Sequence, residues 1–327
     1  MSAYPCGYRV RWIRDPVRDR PVAVDLWYPA APSVGGVPVA EVAFDYGLSV
    51  GSAAEGAAAA TGAFPLVVLS HGAFGAARNY SWIAEHLARS GYVVAGVSHF
   101  GESYVYGVET IDPASVTDVT DRARDCSFVL DQIVDGSGLG VPVDAARVGA
   151  IGHSSGGATV AALAGGVYDR DGMLRYCAVE APTEDRGCDY ARIPGGGGGR
   201  EAHQPRPDLR DRRITAVMLL DPALGPGFDA ASLGGITVPC HVVGSVRNDF
   251  LPIEQHAARY ARLIPGTVLT RLDDGQGHFI YLDVCSSDRE ANGVPLCRDR
   301  DGVDREATHE RLREVVREFF DTHLPGT

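Results

Sequence analysis

Residues Arg147 to Gly165, RVGAIGHSSGGATVAALAG, constrain the fold more than any other stretch of the chain. Val148 to Ile151 is a short apolar run, which suits a buried strand. The tight sequence Gly152-His153-Ser154-Ser155-Gly156 follows, and Ala158 to Ala164 then suits a helix. A bare G-x-S-x-G is a weak pattern, but between a strand and a helix it reads as a nucleophile elbow. Such a turn forces its middle residue, Ser154, into a strained backbone conformation that lifts the hydroxyl clear of the sheet. Glycine at 152 and 156 lets strand and helix approach around it. The serine then stands at a helix N-terminus, where the dipole and free N–H groups favour developing negative charge.

The rest of the chain supplies a sheet to hold this turn. Tyr8 to Ile13 and Val22 to Tyr28 alternate apolar and polar residues about a turn at Asp15 to Asp19, a leading antiparallel hairpin. Residues 30 to 63 are rich in Ala, Gly, Pro and Ser without a period, an irregular excursion with a helical stretch expected at Val42 to Leu48. Apolar runs at Phe64 to Leu69, Tyr92 to Val97, Val148 to Ile151, Ile214 to Leu220, Val238 to Val243 and Thr267 to Leu272 complete eight strands. Helical spacing separates them at Tyr80 to Ala88, Val119 to Ile133 and Ile253 to Leu263, and closes the chain at Leu312 to Phe320. Strands alternating with helices predict an α/β fold: one domain over residues 1–327, a mostly parallel eight-stranded sheet with helices on both faces. Residues 166–213, which carry Cys177, Cys188 and the run Gly195 to Gly199, are too long for an ordinary connection and read as a lid-like or disordered insertion.

A serine needs a base, and the base needs an acid to fix its tautomer. Of ten histidines, His86, His256, His309 and His323 fall on helical stretches, His203 in the polar insertion and His241 in a strand. His278 alone lies in a Gly-rich loop just past the last strand, at the carboxyl end of the sheet where functional groups gather. Two acids satisfy the order Ser, Asp, His: Asp221, directly after the sixth strand and followed by Pro222, and Asp249, in a looser loop after the seventh. Asp221 is preferred, with Asp249 as the alternative. The oxyanion donors are expected from the backbone of Ser155 and of Ala73, in the loop Ser70-His71-Gly72-Ala73. His71 reads as an orienting residue of that loop and His153 as packing at the elbow.

Composition excludes several function classes. The net charge of −12 disfavours nucleic acid and anionic membrane surfaces as partners. No apolar run is long enough for a membrane span, and the N-terminal MSAYPCGYRVRW lacks a signal-peptide core, so a cytoplasmic location is expected. Neither a G-x-G-x-x-G nor an H-E-x-x-H motif occurs, and no cysteine pair has C-x-x-C spacing, so no cofactor and no metal are expected. Cys177/Cys188 and Cys285/Cys297 could each close a short loop, but a cytoplasm would keep them reduced; the sequence leaves their state open.

Taken together, DPVRDRPVAVDLWYPA, LSHGAFGAARNYSWIAEHLARSGYVVAGVSH, IGHSSGG, and VPCHVVGSVRNDFLPIEQHAARYARLIPG followed by GHFIYLDVC resemble an α/β-hydrolase. The group is the one joining dienelactone-hydrolase-like proteins with platelet-activating-factor acetylhydrolase. The resemblance implies an α/β-hydrolase fold, a triad of Ser154 and His278 with an acid, and oxyanion donors at Ala73 and Ser155. In the acetylhydrolase branch the acid lands on Asp221. Dienelactone hydrolases carry a cysteine where this chain has Ser154, so that label does not give the substrate. The expected activity is cleavage of a carboxylic ester of a small acyl substrate through an acyl-enzyme. The same site would serve an amide or peptide hydrolase or an acyltransferase. A non-catalytic ligand-binding protein on this fold would usually have lost a triad member. Oligomeric state is not legible.

Overall fold

The computed structural model describes residues 4–32, 41–44, 49–134, 139–191, 207–286 and 288–325. Strands β1 (Cys6–Asp15) and β2 (Arg20–Pro29) form the leading hairpin, followed by β3 (Glu41–Phe44), β4 (Ser49–Glu55), β5 (Phe64–Ser70) and β6 (Val93–Ser98). β7 (Val143–His153), β8 (Ile214–Leu220), β9 (Cys240–Ser245) and β10 (Val268–Leu272) complete a ten-stranded sheet in the order β10-β9-β8-β7-β5-β6-β2-β1-β4-β3. From β10 to β6 every neighbouring pair is parallel.

The eight strands expected from the sequence are all present, and β3 and β4 add two more to this sheet. Val42 to Phe44 are therefore strand and not helix, while residues 45–48 of that expected helix lie outside the described residues. The physical reason is an available edge: β4 pairs with β1 in parallel and β3 with β4, so backbone pairing overrides a stretch with no side-chain period.

Helices cover both faces. Strand side chains alternate accordingly: Leu66 and Val68 point to one core, Val67 and Leu69 to the other. Helices α1 (Ser81–Arg89) and α8 (Arg305–His323) bury Ile83, Leu87, Leu312 and Phe320 on one side. On the other lie α2 (Thr120–Val134), α3 (Ser155–Leu163) and α7 (Ala257–Leu263). α7 begins four residues later than its spacing predicts, because His256 is drawn out of helical geometry (φ −115°, ψ −96°) to meet Asp185 at 2.9 Å.

Between α3 and β8 the described part of the insertion is ordered secondary structure, α4 (Arg170–Val179) and α5 (Gly187–Ala191). Met173, Tyr176, Cys177, Cys188 and Tyr190 are buried, which is why these residues fold although their sequence reads as polar. The Gly195 to Gly199 run lies outside the described residues. A short helix, α6 (Ala230–Gly234), precedes β9. Disulfides join Cys177 to Cys188 and Cys285 to Cys297. Closing an 11-residue separation removes enough unfolded-state entropy to contribute about 3 kcal/mol. The double variant Cys177→Ala/Cys188→Ala is expected to lose about that much stability in urea unfolding. An unchanged midpoint would mean that burial alone holds the insertion.

The sheet reverses direction of growth between β5 and β7: β6 is added on one side of β5 and β7 on the other. Such a switch point opens a crevice at the carboxyl ends of the strands. Ser70 ends β5 there, and His153 ends β7.

Candidate active site

Ser154 occupies the crevice. Its backbone sits at φ 55°, ψ −120°, a region that non-glycine residues enter only when the surroundings force them. The forcing is visible in the peptide contacts. Ser154 N–H donates to the Leu220 carbonyl at 3.0 Å, and its own carbonyl accepts from Ala223 N–H at 2.9 Å and Ala158 N–H at 3.2 Å. A Cβ on Gly156 would overlap the Ser70 and His71 carbonyls, and one on Gly152 would overlap the Gly156 carbonyl. Backbone cannot yield as a side chain can, so Gly156→Ala is expected to cost at least about 3 kcal/mol of stability. Chemical denaturation checks this; a cost under about 1 kcal/mol would mean that the elbow can open.

The base predicted from the sequence lies against this serine. His278 Nε2 is 3.0 Å from Ser154 Oγ, and the imidazole is buried. Phe250 stacks on it, with centroids 5.2 Å apart and planes at 13°. On the far side of the ring, His278 Nδ1 is 3.9 Å from Asp221 Oδ2 and 3.3 Å from Asn248 Nδ2. Asn248 Oδ1 accepts from the Phe250 and Leu251 N–H groups at 2.9 and 2.7 Å, which fixes the amide with its nitrogen toward the histidine. Asp221 Oδ1 accepts from Ser245 N–H at 2.8 Å, while Oδ2 has no hydrogen bond of ordinary geometry among the described residues. Burial pushes the Asp221 carboxyl up, to about 7, and holds His278 well below the usual imidazole range. Each group resists charge alone, so an imidazolium formed at His278 has its counter-charge beside it in Asp221.

Asp249, the alternative acid, faces another atom. Its Oδ1 accepts from the backbone N–H of His278 at 2.9 Å, and its Oδ2 pairs with Arg300 at 3.1 Å. It fixes the loop that carries the ring, and these contacts leave the Nδ1 side to Asp221 and Asn248.

The loop after β5 closes the third side. A Cβ on Gly72 would lie 3.3 Å from Ser154 Cβ, so this loop and the serine are in contact. His71 Nε2 accepts from His99 N–H at 3.1 Å, which puts the ring proton on Nδ1, where it donates to the Gly72 carbonyl at 2.6 Å. Gly75 N–H donates to the same carbonyl at 3.2 Å. His153 does more than pack. Gly72 N–H donates to Tyr80 Oη (3.0 Å), the Tyr80 hydroxyl to His153 Nδ1 (2.8 Å), and His153 Nε2–H to the His278 carbonyl (3.0 Å). Burial pulls His153 down to about 3, so it remains neutral and keeps this chain of bonds intact.

The insertion adds Tyr190 to an aromatic wall. Tyr190 lies 5.4 Å from Phe74 and 6.3 Å from Phe250, and Phe250 lies 5.4 Å from Phe279. Arg186 N–H donates to the Phe250 carbonyl at 3.0 Å, and Asp185 accepts from the Tyr176 hydroxyl at 2.8 Å while meeting His256. Sequence reasoning missed Tyr80, Asn248, Phe250 and Arg122 at this site. Arg122 alone left a signal, a charged residue in the apolar stripe of Val119, Cys126 and Val129. Among the described residues no His, Cys, Asp and Glu side chains gather as a metal site, and no helix is long and apolar enough to cross a membrane.

Comparison with known proteins gives the fold its name. Over 99% of its length the chain superposes on a ferulic acid esterase from Streptomyces cinnamoneus, covering 91% of that chain, with a TM-score of 0.65 and 24% identity. This is an α/β-hydrolase fold. A puromycin-hydrolyzing peptidase from Mycobacterium tuberculosis is also similar, with a TM-score of 0.56 and 14% identity over 100% of this chain and 41% of that one. Residues 56–181, which include the loop after β5 and the elbow of the α/β-hydrolase core, match the family described as Chlorophyllase. No curated protein matches the chain.

Proposed function

We propose that this protein is a serine hydrolase that cleaves carboxylic esters, with Ser154 as nucleophile, His278 as base and Asp221 as acid. One observation carries the reading: a serine hydroxyl on a strained elbow 3.0 Å from the Nε2 of a buried histidine. Ser154 Oγ attacks the acyl carbonyl carbon, and its proton passes to His278 Nε2. The carbonyl π pair becomes an oxyanion. Its collapse expels the alcohol, which takes the proton from His278, and leaves an acyl-serine. Water, deprotonated by the same histidine, then releases the acid. For His278 to act as base its ring proton must lie on Nδ1, where Asp221 balances the imidazolium; the Asn248 amide nitrogen, a donor, then serves the Asp221 carboxylate and not the ring.

Two backbone N–H groups serve the oxyanion, those of Ala73 and Ser155. A trans peptide directs its N–H opposite to its C=O. The Gly72 carbonyl is held by His71 and Gly75, and the Ser154 carbonyl by Ala223 and Ala158, so the N–H groups of Ala73 and Ser155 are fixed and face away from those partners. Ser155 also opens α3, where first-turn N–H groups have no intrahelical acceptor.

The wall of Phe74, Tyr190, Phe250 and Phe279 favours esters with an apolar or aromatic portion, a preference in keeping with a ferulic acid esterase among the similar structures. The described insertion, 166–191, acts as a cap on that side. The segments that carry the resemblance to the dienelactone-hydrolase-like and platelet-activating-factor acetylhydrolase group, SHG, IGHSSGG and GHF, are those that converge on Ser154, which supports placing the chain in that group. The chemistry calls on no cofactor.

A fluorophosphonate probe tests the reading. It should label Ser154 at one equivalent per chain and abolish p-nitrophenyl ester hydrolysis in proportion. Labelling elsewhere, or hydrolysis that survives full labelling, would refute it. Amide hydrolysis and acyl transfer use the same groups; p-nitroanilides and an amine acceptor run beside the esters separate them.

A further inference from the structure

Arg122 places a guanidinium at 1% exposure in the middle of the apolar face of α2. Its guanidinium spends its donors on three separate pieces of the site. Nη1–H donates to Glu102 Oε2 at 2.6 Å, in the loop after β6. Nη2–H donates to the His71 carbonyl and to Ser70 Oγ, the latter at 3.2 Å. Nε–H donates to Thr159 Oγ1 at 3.0 Å, and the Thr159 hydroxyl donates in turn to the Ser155 carbonyl at 2.9 Å. One planar fork thus joins the loop that carries Ala73 to the first turn of the helix that begins at Ser155. His71, whose carbonyl it grips, is also the residue whose ring holds the Gly72 carbonyl.

We propose that Arg122 is a positioning residue for the oxyanion hole. It holds the Ala73 and Ser155 N–H groups at a fixed separation without touching substrate. This rests on the serine-hydrolase reading above. A buried Arg–Glu pair can be a merely structural element, which would show in stability alone. A positioning role shows instead in the step where the oxyanion forms, since donors displaced by about 1 Å cost rate far more than they cost substrate binding.

The test compares wild type, Arg122→Gln, Arg122→Lys and Thr159→Val, each normalised to active sites counted by fluorophosphonate. Two quantities are read: the kcat and KM for a p-nitrophenyl ester, and the inhibition constant of an aryl trifluoromethyl ketone. The ketone adds Ser154 Oγ to its carbonyl carbon. The proton goes to His278, and the carbonyl pair remains as a hemiketal oxyanion in the hole. Arg122→Gln is expected to lower kcat about 10- to 100-fold with KM within about 3-fold, and to weaken the ketone by a similar factor. Arg122→Lys should recover part of both, because an ammonium can keep the His71 carbonyl but cannot span to Thr159. Thr159→Val should show the same paired loss at about 3- to 10-fold, and it carries the test if Arg122→Gln does not fold. Wild-type kcat and ketone affinity in Thr159→Val and in any Arg122 variant that folds, with only the melting temperature lowered, would overturn the proposal. Failure of the underlying reading has a separate signature, undiminished hydrolysis by Ser154→Ala.

Discussion

Alanine at Ser154 or at His278 is expected to lower kcat for ester hydrolysis about 10⁶-fold, and alanine at both should be no worse than either alone. The geometry requires this pattern. The hydroxyl and Nε2 are 3.0 Å apart and act on one proton, so removing either leaves the other without a task. Ser154→Ala should keep the fold, because the elbow is held by the Leu220, Ala223 and Ala158 backbone contacts and the oxygen contributes nothing to them. Residual catalysis from the remaining N–H donors would set a floor, roughly 10³-fold above the uncatalysed rate. Stopped-assay hydrolysis of p-nitrophenyl acetate checks all three variants. A single variant retaining more than about 1% of wild-type kcat, on preparations free of contaminating esterase, would remove that residue from the mechanism.

The second large effect separates the two acids. Asp221→Asn is expected to lower kcat about 10⁴-fold, because an amide offers Nδ1 no charge and can stabilise the wrong tautomer. Asp249→Asn should cost less than about 10-fold, since its hydrogen bond goes to the His278 main chain and an amide oxygen can still accept it. The two substitutions change charge equally and sit on neighbouring loops, so each controls for the other. The reverse order of effects would transfer the acid role to Asp249 and require the loop after β9 to move in the bound state.

The elbow and the eight strands were legible because their causes are local. Gly152, Ser154 and Gly156 are spaced as the turn demands, and apolar runs such as FPLVVL admit one reading. What failed to show depends on partners far along the chain. β4 is a strand because the edge of β1 accepts it, and β3 because β4 then offers an edge of its own, which no period in residues 30–63 announces. α4 and α5 are held by the Cys177–Cys188 bond and by Asp185, which accepts from the Tyr176 hydroxyl and meets His256. Asp221 and Asp249 looked alike because each follows a strand; only the packing of the loop 248–251 under His278 distinguishes ring from main chain. Arg122 was visible as an anomaly in a helix, but its four partners lie 20 positions away at Glu102, 37 at Thr159, 51 at His71 and 52 at Ser70.

Chain synthesis completes the two halves of the site at different times. Ser154, Ala73 and Ser155 lie before residue 160, whereas β8, which braces the elbow through Leu220, and the loops of Asp221 and His278 emerge later. A nascent chain ending in the insertion holds the Ser154 hydroxyl without His278, Asp221 or the Leu220 carbonyl that accepts from Ser154 N–H. On the proposed mechanism such a chain would not cleave esters. Ester cleavage would then wait until β8 and the loops of Asp221 and His278 have folded beside β7.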